Sequence, residues 1–185
     1  LTGRKLDEAK LRESMACANR TLALMREYAD LRAEVSQDTT MTGELCSLIA
    51  THCLLGHADG ENYVRELIET AKRAPRRETT RRKRIFFIHT CDITFDSLMP
   101  LDPDKPIESM ARRLLANVNG GRSTRRIDNA IAWAKKLNAD GVIVFCHWGC
   151  KQTMGLSTLA KRRLEEAGLP TLVLDGDGCD SRNVA

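Results

Sequence analysis

The sequence has 185 residues, with 29 Lys and Arg against 25 Asp and Glu, and is 42% hydrophobic and 29% charged. That is the balance of a globular protein with room for one α/β domain and an appendage, or for two small domains. The lack of any run of about 18 apolar residues excludes a membrane-spanning helix. Aromatics at 4% argue against a base-stacking platform, and a net charge of +4 names no partner.

The first residues, LTGRKLDEAKLRES, lack the basic-then-apolar order of a signal peptide. The seven cysteines therefore read as reduced thiols of a cytoplasmic protein. Residues 5–34 place Leu6, Leu11, Met15, Ala18, Leu22, Met25 and Leu31 at three- to six-residue steps between Lys, Arg and Glu, which predicts one long amphipathic helix. Thr42 and Glu44 precede a second apolar run, Leu45 to Leu55, closed by Gly56 and Gly60. A third helix is expected from about Asp59 through Ala71, ended by Pro75. Cys17, Cys46 and Cys53 fall inside these helical patterns and read as packing residues. The run RRETTRRKR, residues 76–84, reads as a solvated linker, with a nucleic-acid patch as the sharper alternative.

From Arg84 onward the pattern changes. IFFI (85–88), GVIVF (141–145) and TLVLD (171–175) are short continuous apolar runs of the kind buried parallel strands show. Helices are expected at about 124–137 and 153–167, the latter stopped by Gly168 and Pro170. Strand-helix-strand alternation implies an open parallel sheet of flavodoxin-like type, giving a helical segment over 1–80 and a partial α/β domain over 81–185. Ligands in such sheets bind beyond the carboxyl ends of the strands, so the informative residues follow Ile88, Phe145 and Leu174.

Three cysteine-bearing loops occupy those positions: His89-Thr90-Cys91-Asp92, Cys146-His147-Trp148-Gly149-Cys150-Lys151, and Asp175-Gly176-Asp177-Gly178-Cys179-Asp180-Ser181-Arg182. No C-x-x-C pair occurs, which weakens a zinc reading. Cys146 continues an apolar strand and reads equally as a core thiol. Cys150 follows Trp148-Gly149 on a turn, with Lys151 and a helix N-terminus supplying the positive potential that favours a thiolate. His147 is too close in sequence to oppose Cys150 as a catalytic base, so an orienting role is expected. Asp175, Asp177 and Asp180 could bind a hard cation, but their spacing with Gly176 and Gly178 favours turn hydrogen bonds and a pair with Arg182. Gly120-Gly121-Arg122 before a helix is a possible anion contact.

The segments DGVIVFCHWGCKQTMG (140–155) and LAKRRLEEAGLPTLVLDGDGCDSRN (159–183), with the long helix that precedes them, resemble the C-terminal portion of the 2-hydroxyacyl-CoA dehydratase and benzoyl-CoA reductase subunits. The resemblance implies a 4Fe-4S cluster held by three cysteines. Two belong to an N-terminal domain with no counterpart in these residues, and one stands in a Gly-Cys-Lys-like context that corresponds to Cys150. It implies an oxygen-sensitive enzyme that takes one electron from an ATP-dependent activator and passes it to an acyl-CoA thioester. The ketyl radical so formed expels a hydroxyl, or an aromatic ring is reduced. The implied partners are the acyl-CoA substrate, a second related subunit and the activator, with neither nucleic acid nor membrane. A non-catalytic α/β binding or assembly module is the alternative.

One junction is out of pattern. IFFIHT runs straight into CDITFDSLMPLDPDKP with no crossover helix, although parallel strands need one. Residues missing between Thr90 and Cys91 would explain it, and would make Cys91 the end of another strand.

Overall fold

The computed structural model describes residues 3, 5–79, 82–89, 98–118, 120–177, 180 and 182. They fall into two compact units, one comprising Leu1–Thr80 and Asp96–Asn117, the other Arg81–Phe95 and Val118–Ala185.

In the first unit, Glu8–Glu34 forms α1, Met41–Cys53 α2, Ala58–Arg73 α3 and Pro106–Ala116 α4. Asp7 caps α1 by accepting from the Lys10 N–H, and Thr40 caps α2 by accepting from the Gly43 N–H. The second helix thus begins one turn before the expected apolar run. Gly60 does not close α2 but lies in the first turn of α3, where an added Cβ would stand 2.4 Å from the Leu54 carbonyl oxygen. Met15 and Ala18 of α1 form a small apolar cluster with Leu101. Val64, Ile68 and Ala71 line the buried side of α3.

Helix α4 has no counterpart among the expected elements. Pro106 sits at its first position, where a missing N–H costs nothing. The segment leading into it is held by a polar stripe on α1: Arg12, Asn19 and Arg26, spaced seven residues apart, reach the carbonyls of Pro103, Leu101 and Leu98. Asn19 does so from both ends of its amide, since its Oδ1 also accepts from the Leu101 N–H at 2.7 Å. Substituting Asn19→Ala strands two backbone groups at once, and is expected to lower stability by about 1–3 kcal/mol in urea denaturation. A loss no larger than that of an exposed Ala substitution on α1 would contradict this role.

The basic run 76–84 is partly absorbed by the fold. Arg76 pairs with Glu34 and bridges Val35 in antiparallel register, and Arg77–Thr79 forms a single 3₁₀ turn. In the second unit Arg84 donates to the Leu137 carbonyl, while its own N–H donates to Asp140 at 2.7 Å.

The second unit is a three-stranded parallel sheet in the order β1 (Ile85–Ile88), β2 (Gly141–His147), β3 (Thr171–Gly176), with α5 (Ser123–Lys136) and α6 (Lys151–Glu166). The strands match the three apolar runs. Alternation along β2 puts Val142, Val144 and Cys146 against Ile127, Ala130 and Ala134 of α5 and Ala160 and Leu164 of α6. On the other face Phe87, Phe145 and His89 stack, with ring centroids 5.7–6.5 Å apart. Gly168, at φ +84°, ends α6 in the left-handed conformation that glycine adopts most easily. Among the described residues no helix is long and apolar enough to cross a membrane. Thr90, Cys91 and Cys179 lie outside the described residues.

Candidate functional site

The carboxyl ends of β1 and β2 and the N-termini of α5 and α6 lie on one edge of the sheet, as the right-handed crossover of parallel strands requires. Strand β2 ends at His147, Trp148 and Gly149 turn, and Cys150 is the N-cap of α6. The Cys150 N–H donates to the His147 carbonyl at 2.8 Å, which fixes the turn. The Trp148 N–H donates to the Gly176 carbonyl at 2.9 Å, and its indole N–H to Asp175 at 3.2 Å. The half-exposed indole is thereby held at this edge.

Cys150 is partly exposed, whereas Cys146 is fully buried. Cys150 Sγ makes no capping hydrogen bond of normal geometry to the α6 amides. It nevertheless sits where they point, and its thiol is held below the usual range. The largest cause is the Thr153 hydroxyl, followed by the Thr153 N–H, with smaller help from the Gln152 N–H and Arg126 and opposition from burial. The same hydroxyl donates to the Cys150 carbonyl at 3.2 Å. Cys146 is the reverse case: burial first, then Asp175, push its thiol up, and it donates weakly to the Thr153 carbonyl at 3.7 Å. Two cysteines four residues apart are thus sorted by environment into a core thiol and an activated one.

His147 Nδ1 accepts from the Gly149 N–H at 3.0 Å. That nitrogen is occupied in shaping the turn, which is the orienting role expected of it. Asp177 accepts from the Asp180 N–H at 3.0 Å, and Asp180 takes a forked pair from Arg182. These carboxylates make the turn bonds and the arginine pair their spacing suggests. Among the described residues no group of three or more His, Cys, Asp or Glu is placed to hold a metal ion.

One residue at this edge escaped the sequence reading. Arg126, in the first turn of α5, is only 7% exposed and donates to the His89 carbonyl at 2.6 Å. An arginine on an otherwise apolar helical face was the available signal. His89 itself is held below the usual histidine range, first by burial and then by His147 and Arg126. Its folded form therefore binds a proton less readily than its unfolded form. It adds no penalty above the ordinary value of 6.5, and stability should fall as pH drops below that value. A pH series of urea midpoints checks this: His89→Asn should flatten the decline between pH 7 and 5, and an unchanged decline would assign it elsewhere.

With this geometry in view, the chain matches the family described as 2-hydroxyglutaryl-CoA dehydratase, D-component, over residues 1–101 and again over 90–185. It belongs to that family. The two matched stretches overlap at residues 90–101, which contain the Thr90–Cys91 junction singled out above. Dehydratase-type subunits are accordingly the frame for Cys150 and its neighbours. Comparison with curated proteins finds no match.

Proposed function

We propose that the chain is part of a subunit of a 2-hydroxyacyl-CoA dehydratase or benzoyl-CoA reductase type enzyme, and that Cys150 supplies one thiolate to a 4Fe-4S cluster. The observation that carries this reading is the placement of Cys150: a partly exposed sulfur, activated by the α6 N-terminus and Thr153, just beyond a parallel strand. Metal ligation requires a deprotonated thiol, so a lowered thiol pKa and an exposed face suit that role. Among the described residues no group of three ligands is placed to hold a metal ion, and the reading takes Cys150 as one ligand of a set completed elsewhere. When bound, the cluster supplies one-electron reduction of the acyl-CoA thioester, with the electron delivered by an ATP-dependent activator and the site shared with a second related subunit.

What this chain's own residues do is narrower. Thr153 and the α6 N-terminus shift the Cys150 thiol toward its thiolate, and His147 and Gly149 shape the turn that carries it. Trp148 is tethered to Asp175 at the same edge. A cytoplasmic location is part of the same proposal.

The full-length subunit, purified without oxygen with its partner subunit and activator, should be brown with broad visible absorbance and should dehydrate a 2-hydroxyacyl-CoA or reduce an aromatic acyl-CoA. The 185 residues alone, given the same activator and reductant, should show no turnover. A colourless, iron-free full-length complex would favour the non-catalytic assembly module instead.

A further inference from the structure

Helix α4 packs on its unit by its polar side. Ser109 is the residue it buries, and the serine hydroxyl accepts from the Asp102 N–H at 2.7 Å. On the far side of the helix Ile107, Met110, Ala111 and Leu114 keep helical spacing and form one apolar stripe. All four are exposed, Leu114 by 76%. A helix of a globular protein ordinarily turns such a stripe inward, so an outward one marks a surface that a partner covers.

The charges beside the stripe say what that partner is. Glu108 and Arg112 run along one flank of it, and the guanidinium donates to the carboxylate from Nε at 3.0 Å and from Nη2 at 2.7 Å. Both side chains are at least half exposed. A second α4 laid antiparallel across the stripe, on a two-fold axis between Met110 and Ala111, brings the same flank alongside in reverse order. Glu108 then faces Arg112 of the second copy, and Arg112 faces its Glu108, so that four charges alternate in sign. The same operation matches the apolar residues: Ile107 meets Leu114, and the larger Met110 meets the small Ala111. A parallel pair would instead set glutamate against glutamate and arginine against arginine. Opposed helix dipoles favour the antiparallel arrangement as well.

We propose that the exposed stripe of α4 is a self-association surface, occupied by α4 of a second copy of this chain in antiparallel register. The inference is independent of the cluster reading of Cys150. Two short helices bury less than the roughly 1,200–2,000 Å² of a stable complex, so the dissociation constant should lie at the weak end, on the order of 10–100 μM.

Sedimentation velocity of the full-length subunit by itself, over a concentration series that brackets that constant, is the test. The wild type should pass from monomer to dimer as concentration rises. Leu114→Asp should stay monomeric with an unchanged circular dichroism spectrum, because Leu114 is exposed and supports no core. Glu108→Arg and Arg112→Glu each set like charges together at two symmetric places, and each should weaken dimerisation about tenfold. The double variant E108R/R112E keeps the alternation with the signs exchanged, and should recover most of the wild-type association. An equimolar mixture of E108R and R112E should likewise dimerise more tightly than either alone. If L114D does not fold, the charge variants decide. A wild-type subunit that stays monomeric throughout overturns the proposal, and so does a dimer that L114D leaves intact. Weakening by both single reversals with no recovery in the double variant or the mixture also overturns it, since the stripe then does not meet itself in this register. Binding of the related subunit that L114D abolishes, with the chain alone monomeric, would give the stripe to that subunit instead.

Discussion

Iron content should fall to background when Cys150→Ser is introduced into the full-length subunit and iron and sulfide are supplied anaerobically, while Cys179→Ser should retain wild-type iron. The asymmetry follows from what a ligand must do. Serine keeps the size of the residue and its place as N-cap of α6, so the turn Trp148-Gly149 and the helix survive. Only the soft, readily ionised sulfur is removed, and hydroxyl oxygen is a poor substitute for thiolate toward iron. Cys146 is expected to be dispensable for iron as well, because it is fully buried, its thiol is pushed up, and it donates to a backbone carbonyl. Equal iron in Cys150→Ser and Cys179→Ser would sink the assignment.

The second large effect is on stability. Leu164 on α6 is fully buried, in the cluster that also holds Val142, Val144, Ile127 and Ala134. Deleting its branched end removes transfer free energy and leaves a void, so Leu164→Ala should cost about 2–5 kcal/mol. That is a large share of the roughly 5–15 kcal/mol that holds a typical domain together. With a mid-range urea dependence of roughly 2 kcal/mol per molar, the midpoint should drop by roughly 1–2.5 M. Leu172→Ala on β3 is the control, since Leu172 is 53% exposed and should lose far less. Comparable losses in the two variants would contradict the packing described for this sheet.

The strands were legible because a parallel strand buried on its helix-covered face writes itself as an unbroken apolar run, and IFFI, GVIVF and TLVLD each did so. Helices α1, α3, α5 and α6 were legible through three-and-four spacing and through Gly168 and the Pro residues beyond their ends. Helix α4 was not read, although Ile107, Met110, Ala111 and Leu114 keep helical spacing and Pro106 opens it; in the fold Ile107 is 60% exposed and Leu114 76% exposed. The strap made by Arg12, Asn19 and Arg26 was hidden for a different reason: these side chains bond to backbone carbonyls far along the chain, and carbonyls carry no sequence signal.

At the site, the turn and helix N-terminus that favour a Cys150 thiolate could be read from Trp148-Gly149-Cys150-Lys151. The sorting of Cys146 from Cys150 could not, since it depends on Thr153 facing both. Arg126 looked like one more surface arginine among Arg122, Arg125 and Arg126. In the fold it is buried and donates to the His89 carbonyl at the end of β1, which no sequence pattern announces.

The most direct test of the central claim replaces Cys150 alone by selenocysteine in the full-length subunit, loads it anaerobically, and records X-ray absorption at the selenium edge. Selenium is a chemically similar, spectroscopically unique reporter of that one position. If Cys150 holds the cluster, the selenium should show an iron neighbour at bonding distance that vanishes when iron is chelated away. A selenium surrounded only by carbon, in protein that carries its full complement of iron, would contradict the account.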